Sequence, residues 1–182
     1  MKNIKKLLLG ITVLFLIVGC GNMMNTPTKK VEEFLSKYQT QDEKVLTQLD
    51  KVIESAGTMT KNQKEKYRDL MKKQYQNLSY KIKDETEDGD SATVEVEIEV
   101  YDYATSITES ETYLTTNKDE FIDKDTNDVN DEKFMDYKLE QLDKVKDKVK
   151  YTINFTLVKE NNEWKLDDIT EIDRQKIHGL YS

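Results

Sequence analysis

The sequence predicts an α+β domain, with helices packed on one face of an antiparallel sheet of about four strands and a helical insertion between two hairpins. Three observations carry that expectation. Apolar residues recur at helical spacing from Val31 to Leu78. The period then switches to two, where Ala92, Val94, Val96, Ile98 and Val100 alternate with Thr93, Glu95, Glu97, Glu99 and Tyr101, and it returns in Val149, Tyr151, Ile153, Phe155 and Leu157. Helical spacing intervenes between these two strand patterns. Strands with one apolar and one charged face suit an antiparallel sheet that is wet on one side. Helices gathered on its dry face complete an α+β layer arrangement.

Each element follows in chain order. Thr26 before Pro27, the only proline, reads as a helix start with Pro in the first turn. Val31, Phe34, Leu35 and Tyr38 form that helix's stripe. A second helix starts near Asp42, carries Val45, Leu46, Leu49, Val52 and Ile53, and ends at Gly57. Thr60-x-x-Gln63 is a capping box that opens a third helix, striped by Tyr67, Leu70, Met71, Gln74, Tyr75 and Leu78. Leu78, Tyr80 and Ile82 begin a strand, and Glu87-Asp88-Gly89-Asp90 is a hairpin turn of the Asp-Gly kind. Residues 105–121 read as a weak helix through Ile107, Leu114 and Phe121, followed by an acidic, Asn-rich loop over 124–130. Another helix starts at Asp131 with Phe134, Met135, Leu139, Leu142 and Val145. Glu160-Asn161-Asn162-Glu163 turns the last strand pair into Trp164 and Leu166, and a short helix starts at Thr170 with Ile172, Ile177 and Leu180.

The first residues have a different character. Lys2, Lys5 and Lys6 make a positive start, Leu7 to Val18 is an apolar run broken by Gly10 and Thr12, and small Gly19 precedes Cys20, the only cysteine. This is the order of a secretory signal, and the run is shorter than the about 20 residues of a membrane-spanning helix. Leu16-Ile17-Val18-Gly19-Cys20 resembles the lipobox of bacterial lipoproteins. That resemblance implies that the Cys20 sulfur receives a diacylglyceryl group, that the signal is cut before Cys20, and that acyl chains such as palmitate hold the chain on the outer side of the cytoplasmic membrane. The competing readings are an ordinary secretory signal that leaves an exposed thiol, and a catalytic or metal-binding cysteine. The latter lacks partners, because no second cysteine exists and the single histidine is His178. Two acyl chains give stable anchoring where one gives only marginal attachment. The division is thus signal peptide 1–19, lipidated N-terminus and tether 20–27, and one domain over 28–182.

Charge supports a covalent anchor. The whole chain carries a formal charge of −8, and loss of the signal's three lysines takes it to −11. Such a domain is repelled by anionic headgroups and is unsuited to nucleic-acid phosphates. Six flexible tether residues span about 13 Å, so the domain lies close to the bilayer.

Helices first, an Asp-Gly hairpin, and then the closing stretch 151–169 with Trp164-Lys165-Leu166-Asp167 resemble the cystatin-like and nuclear-transport-factor-two-like cone folds, and especially small bacterial lipoproteins that end in such a hairpin. The resemblance implies a curved sheet. It also implies an alternative function, since some cone-fold relatives are isomerases or dehydratases that use an Asp, His or Tyr inside the cavity between sheet and helices. Catalysis of that kind needs a base within hydrogen-bond reach of substrate. The apolar strand faces here contain no carboxylate or histidine. Tyr80 and Tyr151 are their only titratable groups and read as core residues. His178 reads as a surface or helix-end residue. No catalytic residue and no cofactor is assigned.

One metal pattern stands out. Asp123, Asp125 and Asn127 occupy positions 1, 3 and 5 of a calcium-loop pattern, with Asp131 at position 9. Position 6 is Asp128 instead of Gly and position 12 is Phe134 instead of Glu, which favours a solvated acidic loop. Asp84 to Asp88 reads as a wet hairpin tip. These acidic segments suit a basic protein partner. The function expected is therefore a membrane-anchored, non-catalytic binding or interaction module, with a cone-fold enzyme or small-ligand binder as the second reading.

Overall fold

A computed structural model describes residues 25–182. The signal segment and Cys20 lie outside the described residues. Three helices come first: α1 (Pro27–Gln39), α2 (Glu43–Ser55) and α3 (Lys61–Gln76). The hairpin β1 (Ser79–Asp88) and β2 (Ser91–Tyr101) follows, then α4 (Tyr103–Thr116) and α5 (Asp131–Lys144). The hairpin β3 (Lys148–Glu160) and β4 (Glu163–Leu166) leads into α6 (Glu171–His178). The sheet is antiparallel in the order β1-β2-β3-β4, so β2 and β3 pair at its centre although α4 and α5 separate them in sequence. The fold is the expected α+β arrangement, with the helical insertion between the hairpins.

The helix starts are chemically specified. Thr26, Asp42, Thr60, Asp102, Asn130 and Thr170 each accept a backbone N–H of the first turn, which satisfies a donor that has no partner within the helix. At α3 the capping box is complete, because the Gln63 side chain also accepts the Thr60 N–H at 3.0 Å. Both hairpin turns rest on left-handed residues. Gly89 has φ +62° in the first, and Asn161 and Asn162 have φ of 50° and 65° in the second. Asparagine is among the few residues that tolerate this region, and two in sequence make the turn that matches strand twist.

The core follows from the period-two faces. Val94, Val96, Ile98 and Val100 are fully buried, opposite Phe155, Ile153, Tyr151 and Val149 on β3. Val31, Leu35, Tyr38, Met71 and Tyr75 cover them from α1 and α3. Each such side chain contributes roughly 1.5–3 kcal/mol relative to exposure. Trp164 closes the β4 edge at 3% exposure, with the Lys159 ammonium 5.1 Å from its ring centre. On the outer face Glu97 pairs with Lys83 and Lys150, and Glu99 pairs with Lys148 and Lys150. The hydrogen bond from Lys150, followed by the charges of Lys150 and Lys83, holds the Glu97 carboxyl below its ordinary range.

Three details differ from the sequence reading. Asp84 to Asp88 do not form the hairpin tip: they are strand, paired with β2 down to Asp88 opposite Ser91. A bulge between Ile82 and Asp84 shifts their register, and only Gly89 and Asp90 remain in the loop. Backbone pairing does not need apolar side chains once β2 carries the core face. The weak helix over 105–121 is α4 over Tyr103–Thr116, then a 3₁₀ turn over Lys118–Glu120. Its buried face is Tyr103, Ala104, Ser106 and Ser110, while Phe121 is buried beyond the helix against Phe134, Tyr137 and Tyr113. Val52 and Ile172, assigned to helix stripes, are 61% and 54% exposed.

Candidate functional site: the groove between α4 and α5

The insertion between the hairpins holds a surface groove. Tyr103-Ala-Thr-Ser-Ile-Thr-Glu-Ser is a poor helix former, because hydroxyls compete for backbone groups. Here the competition is resolved within the helix. Thr108, Ser110, Thr112 and Thr116 each donate to the carbonyl four residues earlier, and Asp102 caps the first turn. The face that α4 turns inward therefore carries small side chains. Ser106 and Ser110 do not fill the space toward α5, and a groove of about 470 Å³ opens there.

The groove's floor is polar backbone, where the Asp102 N–H donates to the Asp147 carbonyl at 3.0 Å. One wall is aromatic: the rings of Tyr113 and Tyr137 stack at 5.0 Å and 18°. The Tyr113 hydroxyl donates to the Glu120 carboxylate at 3.0 Å, which raises its pKa. The rim carries Glu109, Gln141, Lys144 and Lys146. Every buried side-chain nitrogen or oxygen among the described residues has a partner. Ser106 joins Gln141, Lys144 and Lys146 in lining the groove. Both signs of charge, the Gln141 amide, several hydroxyls and an aromatic wall suit a hydrophilic ligand with donors and acceptors.

A second cluster lies where α6 ends. His178 is the last residue of α6, as a helix-end residue, but its ring turns inward. Its Nε2 lies 3.2 Å from the Tyr75 hydroxyl, and the Tyr38 and Tyr75 rings meet edge-on at 5.1 Å. Burial, with the nearby Arg174 charge, pushes the His178 imidazole down to about 4, and burial raises the Tyr75 hydroxyl. At neutral pH His178 is uncharged and shares a hydrogen bond with the Tyr75 hydroxyl. The depression beside this pair, lined by Tyr38, Tyr67, Met71 and Arg174 among others, measures about 60 Å³. The pair is a packing and hydrogen-bonding unit. Tyr80 and Tyr151 are half-buried, and the Tyr151 hydroxyl donates to the Tyr181 carbonyl.

Asp123, Asp125, Asn127 and Asp131 do not converge on a common point. Asp123 Oδ1 accepts the N–H groups of Asp125 and Thr126 at 2.9 and 3.2 Å, which folds the loop on itself. Asn127 takes the left-handed conformation with φ 60°, and Asp131 lies in the first turn of α5. Among the described residues no group of three or more His, Cys, Asp or Glu side chains is placed to hold a metal ion. No helix among the described residues is long and apolar enough to cross a membrane.

The residues that line the groove escaped sequence reasoning because Ser106 and Ser110 carry no apolar signal. Their four-residue spacing on a helix was the one available hint. In comparisons with protein-family models, with curated proteins and with solved structures, nothing matches this chain.

Proposed function

We propose that this chain is a bacterial lipoprotein held on the outer side of the cytoplasmic membrane by lipid on Cys20, and that its domain is a non-catalytic binding module. The observation that carries the reading is Ile17-Val18-Gly19-Cys20 at the end of a charged start and a short apolar run. The net charge of the domain supports it, since an acidic surface has no electrostatic attraction to anionic lipid and needs a covalent anchor. The groove between α4 and α5 supports the binding half. It combines polar side chains, among them Ser106, Gln141, Lys144 and Lys146, with an aromatic wall. Kinship with the cone-fold lipoproteins belongs to the same proposal, supported by the order of helices, hairpin, insertion and hairpin.

Small-ligand binding is the second reading, and the groove's volume favours it. The ligand site is then the gap that Ser106 and Ser110 leave between α4 and α5. The core face of the sheet is filled by Val94, Val96, Ile98, Ile153 and Phe155.

Metabolic labelling with a fatty acid tests the anchor. Wild type incorporates the label and migrates as the shorter, cleaved chain. Cys20→Ser takes up none and keeps its signal segment. A wild-type chain that takes up no label ends the lipoprotein reading.

A further inference from the structure

The attachment of Asn25 to the fold bears on how a lipid on Cys20 would hold the domain. Asn25 is pinned to the second hairpin at both ends of its side-chain amide: Nδ2 donates to the Asn162 carbonyl at 2.8 Å, and Oδ1 accepts the Trp164 N–H at 3.1 Å. Three residues later the Thr28 N–H donates to the Glu85 carboxylate on β1 at 2.8 Å. The start of the domain is thus tied to both hairpins. The register places the two turns at one end of the sheet, because Ser91, which follows the first turn, pairs with Val158, just before the second.

Cys20 precedes Asn25 by five residues, and a fully extended chain of that length reaches at most about 18 Å. The groove opens at the opposite end of the sheet. Its floor, Asp102 and Asp147, lies just beyond the Tyr101 and Lys148 pair that ends β2 against β3. From Ser91 to Tyr101 the strand covers roughly 33 Å.

We propose that the end of the sheet bearing both hairpin turns is the membrane-facing surface of this domain, and that the α4–α5 groove is presented at the far pole, away from the bilayer. The partner of the hairpin end is the lipid headgroup layer. This rests on lipidation at Cys20. The facing end carries Glu85, Glu87, Asp88, Asp90, Glu160 and Glu163. Those charges repel an anionic surface, so the short tether from Cys20, and not charge, sets which end faces the bilayer. The groove is therefore open to ligands that arrive from outside the cell surface and is not buried against lipid.

The test uses the full lipidated chain reconstituted into vesicles of phosphatidylcholine and phosphatidylglycerol doped with a headgroup-bound quencher. Cys20 is the only native cysteine and is blocked by lipid, so a single added thiol carries a fluorophore. Glu163→Cys places it at the hairpin end and Glu109→Cys at the groove rim, both at exposed positions. The Glu163 probe should be quenched at least severalfold more than the Glu109 probe. Equal or reversed quenching overturns the orientation. Fatty-acid labelling of the same preparations separates the causes. Labelled protein with equal quenching sinks the orientation alone, whereas protein without label sinks the anchor and the orientation together.

Discussion

Gln74 is the residue whose loss should cost this fold most for its size. Its side chain is fully buried under the junction of α3, β2 and α6. Nε2 donates to the carbonyls of Tyr101 and His178, both at 2.9 Å, and Oε1 accepts the Tyr101 N–H at 2.8 Å. One amide thus joins three elements. Gly179, with φ +69°, lets the chain pass so closely that a Cβ there would lie 2.1 Å from the Tyr101 carbonyl and 2.2 Å from Gln74 Nε2. Gln74→Met keeps the volume and removes all three hydrogen bonds. A buried N–H left without a partner costs about 1–3 kcal/mol, and the two carbonyls add to it, so the total should be ~3–5 kcal/mol. At roughly 2–4 °C per kcal/mol for a domain of this size, the melting temperature should fall by ~6–20 °C. Urea unfolding of the mature domain measures the first quantity. Amide hydrogen exchange measures its distribution, and residues 171–182 should lose protection before β2 and β3 do. A loss below about 1 kcal/mol, with exchange in α6 unchanged, would show that Gln74 does not hold this junction.

Other outcomes follow from the same contacts. His178 has a pKa of about 4 in the fold against an ordinary 6.5, so the unfolded chain binds more protons between those values. Stability should be flat above pH 6.5 on account of this group and fall as pH drops toward 4, and His178→Gln should flatten that slope in urea titrations. Val96→Ala should cost ~1–4 kcal/mol because the side chain is fully buried. Glu97→Ala, on the solvated face with its lysines, should move the urea midpoint by only a small fraction of that amount. Asp123→Ala should loosen the loop through the lost N–H acceptors, read as faster amide exchange at Asp125 and Thr126. Millimolar calcium should shift the melting temperature of wild type no more than magnesium does; a saturable, calcium-selective shift lost in Asp123→Ala would show that the loop binds the ion.

The parts of this protein that were legible in its sequence are those set by neighbours in the chain. The capping box at Thr60 and Gln63 is a contact three residues long, and the inward valines of β2 follow from strict alternation. In the candidate site the opposite holds. A helix stripe announces apolar faces, and Ser106 and Ser110 bury a face that has none. The reach of α4 was misplaced for the same reason. Its start is set by the Asp102 cap and its hydroxyls bond back to carbonyls four residues earlier, features that leave no periodic apolar trace.

From sequence alone came the order of elements, the faces of the strands and the helix starts, because each depends on local spacing or on a short contiguous motif. Tertiary structure decided the rest: that β2 pairs with β3 across the insertion, that a bulge at Ile82 carries the acidic run into the sheet, that Gln74 joins Tyr101 to His178, and that Asn25 is clamped beside Trp164. Gln74 bonds residues 27 and 104 positions away, and Asn25 bonds one 139 positions away. Contacts at such separations exist only once the sheet has closed the distance between them, and no periodicity in the chain encodes which polar side chain will meet which backbone group.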